Sequence, residues 1–225
     1  MGELADPEVA TASQWFFKTG PGEYGEGDRF IGIRVPMLRK LAREHRDLPR
    51  RDVLKLLHSP IHEQRAVALL ILVAQYERGD KATRQEIYEL YLGNLQQVNN
   101  WDLVDCSAHK IVGEHLALRS KRPLHRLARS RVLWERRVAI IATLTYIRVG
   151  AFDETFTIAE MLLDDQEDLI HKAVGWMLRE VANRDRAAAE AFLRPRYKTM
   201  PRTMLRYAIE RFPERRRKQY LAGRV

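Results

Sequence analysis

Cysteine is almost missing from this chain. Cys106 is the only one in 225 residues, which excludes an internal disulfide and any zinc site built on a cysteine cluster, and which fits a reducing cytosol. Long apolar runs are missing as well. The longest, Ala66 to Ala74, is about half of what a helix needs to span a bilayer. No N-terminal stretch has the pattern of a secretory signal. The expectation is therefore a cytoplasmic protein without membrane contact. No segment alternates polar and apolar residues over the length of a strand, so no β-sheet is expected. The signatures G-x-S-x-G, P-loop and H-E-x-x-H are also absent, which removes the commonest hydrolase, nucleotidase and zinc-protease readings.

Acidic residues are in deficit. The 39 Lys and Arg against 30 Asp and Glu give a net charge of +9 and a pI near 9.8. That balance points to nucleic acid or another anionic surface as the partner and says nothing about fold. Two basic runs stand out. One, Arg119 to Arg137, contains the single acid Glu135, and the other, Arg202 to Lys218, contains Glu210 and Glu214. Such runs make phosphate contacts that set affinity and its salt dependence without reading sequence.

Three local patterns carry less than they promise. Gly20, Gly22 and Gly25 spell G-x-G-x-x-G, but no strand precedes them, and Pro21 with Glu23 and Glu26 suits a connector better than a phosphate cradle. His58 and His62 are four apart, yet Pro60 between them breaks the helix that would align them as metal ligands. Cys106 has His109 three residues on, but the adjacent carboxylate of Asp105 would raise the thiol pKa, so a structural cysteine is expected. No metal and no cofactor are expected.

What fills the chain is helical text. A helix is expected from Pro7 to Lys18 and another from Met37 to His45, with Pro36 in its first turn. An internal repeat then sets the architecture. Arg65, Arg137, Lys172 and Arg206 each open a run of small and apolar residues, and the intervals between them are 72, 35 and 34 residues. The empty slot halfway through the first interval falls on Trp101. Helical stretches at Arg84 to Gln96, Arg122 to Arg129, Asp153 to Leu163 and Arg186 to Phe192 lie between these segments. Two helices per unit of about 35 residues make an all-α, HEAT-like helical-repeat solenoid, here taken as a single domain over 1–225, with a concave basic face. In that register Arg65, Trp101, Arg137, Lys172 and Arg206 form one row. Four positions on, Leu69, Asp105, Ile141, Trp176 and Glu210 form the next.

The stretch Asn99 to Asp105 is the centre of this arrangement. Two asparagines supply a helix N-cap, and Trp101 and Asp105 are one turn apart on the same helix face. An aromatic plane beside a fixed carboxylate suits a cationic group. Taken singly, each tryptophan fits core volume equally well, Asp105 fits pairing with a nearby base, and Arg137 fits a solvated face. The shared register is what groups Trp101, Asp105, Arg137 and Trp176.

Four stretches then resemble the AlkD-type bacterial DNA alkylation repair glycosylases: Phe30 to Pro36, Asn100 to Asp105, Trp134 to Ile140 and Lys172 to Glu180. Together and in order they cover most of the chain. The resemblance implies a HEAT-like solenoid whose active site holds Trp101, Asp105, Arg137 and Trp176. It implies hydrolysis of the N-glycosidic bond of purines alkylated at N3 or N7 (3-methyladenine, 7-methylguanine) in double-stranded DNA, with an abasic site as product and the lesion left stacked. Asp105 would then stabilise the oxocarbenium-like sugar and place a water, Trp101 and Trp176 would pack on the deoxyribose, and Arg137 would hold a phosphate. Arg65, Lys172 and Arg206 from the repeat row, with Arg34, Arg136 and Arg179 from the matching stretches, are the expected DNA contacts. The partner is alkylated duplex DNA and the expected state is a monomer. The chain departs from the family pattern at Phe16, where a tyrosine is expected, and at Leu169, where an aromatic is expected. Two other readings stay open: a non-catalytic binder of bent or branched DNA, and a protein-binding HEAT scaffold.

Overall fold

A computed structural model describes residues 2–225. Among these residues all regular structure is helical, apart from one isolated parallel bridge between Arg29 and Ile61. No helix is long and apolar enough to cross a membrane. The chain divides into two compact units, Met1–Ile111 and Val112–Val225.

The first unit contains α1 (Pro7–Phe16), α2 (Val35–Glu44), α3 (Arg50–Leu57), α4 (His62–Arg78), α5 (Lys81–Gly93) and α6 (Trp101–Ala108). Its axis is α4, against which α2, α3, α5 and α6 all pack. The apolar run that is too short for a membrane explains this role. Ala66, Val67, Ala68, Leu69, Ile71 and Leu72 are all buried, so the helix is apolar nearly all round and needs neighbours on every side. Pro60 stands between α3 and α4, as expected of a residue that cannot continue a helix. Asp80 caps α5 by accepting from the Thr83 amide at 2.8 Å.

The way α1 is attached matters for the site. Asp6 caps it, accepting from the Glu8 and Val9 amides, with Pro7 at its first position. Gly32 has φ +83°, and a Cβ there would lie 2.0 Å from the Asp6 carbonyl oxygen, so only glycine lets the loop meet the helix this closely. The same loop is gripped from below by Glu63, at the start of α4. Its carboxylate accepts from the amides of Ile31, Gly32 and Ile33 at 3.1, 2.8 and 3.3 Å.

The second unit contains α7 (Glu114–Leu116), α8 (Arg122–Ala128), α9 (Leu133–Ala142), α10 (Leu144–Arg148), α11 (Asp153–Met161), α12 (Asp168–Ala182), α13 (Arg186–Leu193), α14 (Arg202–Ala208) and α15 (Glu214–Leu221). Here α12 is the axis, packed against α9 on one side and α14 on the other, with α10, α11 and α13 also touching it. Gly175 sets the closest approach, because a Cβ there would meet the Met204 carbonyl oxygen at 2.5 Å and the Tyr207 side chain at 2.5 Å. The helical-repeat expectation holds in both units. Arg65 lies on α4, Trp101 on α6, Arg137 on α9, Lys172 on α12 and Arg206 on α14, and α5, α8, α11 and α13 are the intervening helices.

Candidate functional site

In the first unit the candidate residues sit at the start of α6. Asn100 is extended, with φ −149° and ψ 157°, and its side-chain oxygen accepts from the Trp101 amide at 2.8 Å. Trp101 and Asp105 follow one turn apart, both partly open to solvent. The Trp101 indole is held by rings. Phe17 stacks on it at 5.2 Å and 17°, and Phe16 meets it edge-on at 5.9 Å. Phe16, which stands where a tyrosine is expected, is 56% exposed, and its neighbour Trp15 is 84% exposed. Cys106 is no nucleophile. Burial pushes its thiol up, Asp102 and Asp105 push it further, and its sulfur points to the Leu103 carbonyl oxygen at 3.4 Å.

Beneath Trp101 lies a polar cluster that has no signature in the sequence. His62 Nδ1 is 3.0 Å from Asp28 Oδ2, and Nε2 is 2.8 Å from Asp102 Oδ2. Arg65 donates to Asp28 Oδ1 at 2.5 Å and to the Ser59 carbonyl at 3.0 Å, and Asn100 donates to Asp28 Oδ2 at 3.2 Å. Burial alone would favour a neutral imidazole, but hydrogen bonds and charge from Asp102 and Asp28 outweigh it and hold the His62 pKa up at about 9. Burial likewise raises Asp28, yet His62, Arg65 and Asn100 together hold that carboxyl below its ordinary value. Rings complete the cluster: Phe30 stacks on His62 at 4.5 Å and on Phe17 at 4.9 Å.

In the second unit Arg137 is buried, with 5% exposure, and its Nη1 donates to the Leu169 carbonyl at 2.6 Å. That bond is to the main chain, so it does not depend on which side chain residue 169 carries. On α12, Lys172, Trp176 and Arg179 follow one stripe at helical spacing. Lys172 pairs with Asp168 at 2.7 Å, Trp176 Nε1 lies 3.3 Å from Glu180 Oε1, and Arg179 pairs with Glu210 just past the end of α14.

The six expected DNA contacts fare unequally. Arg34 and Arg206 are exposed, and Lys172 is partly so. Arg65 is turned inward instead. At 3% exposure and paired with Asp28, it braces the first unit's interior, so the expectation that it faces DNA is corrected. Arg136 is likewise committed, gripping Asp165 through two bonds at 2.6 and 3.2 Å and donating to the Ser130 carbonyl. Arg179 would have to leave Glu210 to reach a phosphate. Charge is also unevenly divided. Residues 1–111 hold 15 Lys and Arg against 16 Asp and Glu, a net of −1, whereas residues 112–225 hold 24 against 14, a net of +10.

Comparison with known proteins bears on this geometry. The family described as "DNA alkylation repair enzyme" matches residues 1–212. No curated protein sequence is significantly similar. Among solved structures, a predicted DNA alkylation repair enzyme from Enterococcus faecalis shares the fold, with a TM-score of 0.70 at 18% identity over 94% of this chain and 98% of that one.

Proposed function

The chain belongs to the family of DNA alkylation repair enzymes, and from that premise we propose that it is a monofunctional DNA glycosylase. Its substrates are purines made cationic by alkylation at N3 or N7 in duplex DNA, and its product is an abasic site. The observation that supports this most is the pair Trp101 and Asp105, one turn apart on α6, partly exposed and held by ring stacking below. Alkylation puts a positive charge on the base, so the base leaves without a strong general acid and without a metal. What the reaction still needs is a fixed negative charge beside the developing oxocarbenium ion and a placed water. Asp105 supplies both, an effect worth roughly 10²–10³ in rate where such groups are preorganised. Trp101 offers an aromatic face to the sugar and the cation. Arg137, oriented by Leu169, holds a backbone phosphate, and the exposed bases Arg206, Lys172 and Arg34 add sequence-independent affinity. The protein acts as a monomer in the cytoplasm.

Release of free base from methylated duplex DNA tests this directly. Purified protein should liberate 3-methyladenine or 7-methylguanine and leave alkali-labile sites. Tight binding to bent or branched DNA with no base released would instead make it a non-catalytic reader of DNA shape.

A further inference from the structure

The cluster under α6 takes no part in the chemistry above, and its atoms fix its protonation state. An ionised carboxylate can only accept hydrogen bonds. Each ring nitrogen of His62 faces one, Asp28 at 3.0 Å and Asp102 at 2.8 Å, so each nitrogen must bring its own proton. A neutral imidazole has one proton and would set a bare nitrogen against a carboxylate in a site where His62 is 2% and Asp28 is 6% exposed. Charge counting agrees. Asp28 and Asp102 are the two negative groups in contact with His62, Arg65 pairs with the first at 2.5 Å, and an imidazolium pairs with the second at 2.8 Å. Glu63, on the same turn of α4, is occupied by the amides of Ile31, Gly32 and Ile33.

We propose that His62, held as an imidazolium between Asp28 and Asp102, is the positioning residue for Trp101 and, through α6, for Asp105. Two linkages carry this. The residues on either side of Trp101 in the chain are both tied into the cluster, Asn100 through Asp28 and Asp102 through His62. The indole itself packs on a cluster of rings: Phe17 stacks on Trp101, and Phe17 touches His62 directly at 5.1 Å as well as through Phe30. An imidazolium in that cluster also gains cation–π attraction from Phe30 stacked on it at 4.5 Å. In addition, His62 takes up the charge of Asp102, which would otherwise add to that of Asp105 three residues along the same helix. The effect on excision rests on the glycosylase reading, whereas the protonation state does not.

Nitrogen-15 NMR of the histidine rings in the full-length protein tests the second point alone. At pH 7.5 both nitrogens of His62 should be protonated, and they should stay so until the pH approaches about 9; a neutral tautomer at pH 7.5 overturns the proposal. For the first point, His62→Gln keeps a donor and drops the charge. Its single-turnover excision rate should fall by roughly 10²-fold, the scale of a misplaced reacting group, while its affinity for the methylated duplex is retained. Adding Asp102→Asn removes the stranded carboxylate and should recover most of that rate, which lost packing alone would not allow. A single variant as fast as wild type, or a double variant no faster than the single, overturns the positioning role. Should the single variant not fold, the wild-type rate decides: it should decline as the pH rises through about 9 with DNA affinity held, and a flat profile overturns the role. Should the wild-type protein release no base, the glycosylase reading fails while the NMR result stands on its own.

Discussion

A guanidinium with little solvent around it is a stronger electrostatic tool than one on open surface, because water screens it less. Arg137 is in that position, 5% exposed and donating to the Leu169 carbonyl, and the proposed function gives it a phosphate to hold. Arg137→Ala should therefore weaken DNA binding and make the slope of log affinity against log salt shallower by about 0.9, the value of one phosphate contact. Fluorescence anisotropy at several salt concentrations measures this, and an unchanged slope would mean the charge is spent inside the protein. At this scale the sequence exposes only what periodicity can carry. Trp101 and Asp105 are visible because they share a short helix and a repeat register. Asp28, His62 and Asp102 are not, because 34 and 40 residues separate the partners and no spacing rule joins them. Pro60 does break the helix between His58 and His62. That same break starts α4 at His62 and sets the ring against Asp28 and Asp102. The repeat row puts Arg65 outside and the matching stretch does the same for Arg136, and burial with an acidic partner is a tertiary fact that neither pattern contains.

Individual elements gain stability from the same cluster, since it ties the loop around Asp28 to α4 and α6. A folded-state pKa near 9, against 6.5 for an ordinary histidine, means that the folded protein keeps a proton the unfolded chain releases between those values. Stability from His62 is therefore complete below pH 6.5 and is lost as the pH rises through about 9. At about 1.4 kcal/mol per pKa unit this is a contribution of a few kcal/mol. Thermal unfolding followed by circular dichroism should show Tm falling across that window, and His62→Gln should remove the trend. A wild-type Tm independent of pH there contradicts the charge assignment. The repeat helices were legible as elements because each shows the same run of a base followed by small and apolar residues every 34 to 36 positions. The segment around Gly20, Gly22 and Gly25 is a connector, as its turn residues suggest. Its consequence, bringing Asp28 and Phe30 under α6, depends on Gly32 and Glu63 holding the following loop, and neither has a pattern of its own.

Across the whole molecule the positive charge seen in the composition belongs to one unit. The first unit is near neutral at −1, and the second carries +10. Duplex affinity and its salt dependence should accordingly follow the second unit. Replacing exposed Arg206 and Arg211 together by Ala should lower the salt slope by up to about 1.8, at about 0.9 per phosphate contact. The same exchange at exposed Arg39 and Arg43 of the first unit should change it little. Equal effects from both pairs would refute this division of labour.

In the proposed mechanism the Asp105 carboxylate carries the chemistry and not the binding. The most direct measurement is single-turnover release of 7-methylguanine from a defined duplex by wild type and by Asp105→Asn, with the affinity of each for that duplex measured in parallel. The expected result is a rate lowered by roughly 10²–10³ at nearly unchanged affinity. Excision by Asp105→Asn at the wild-type rate would contradict it.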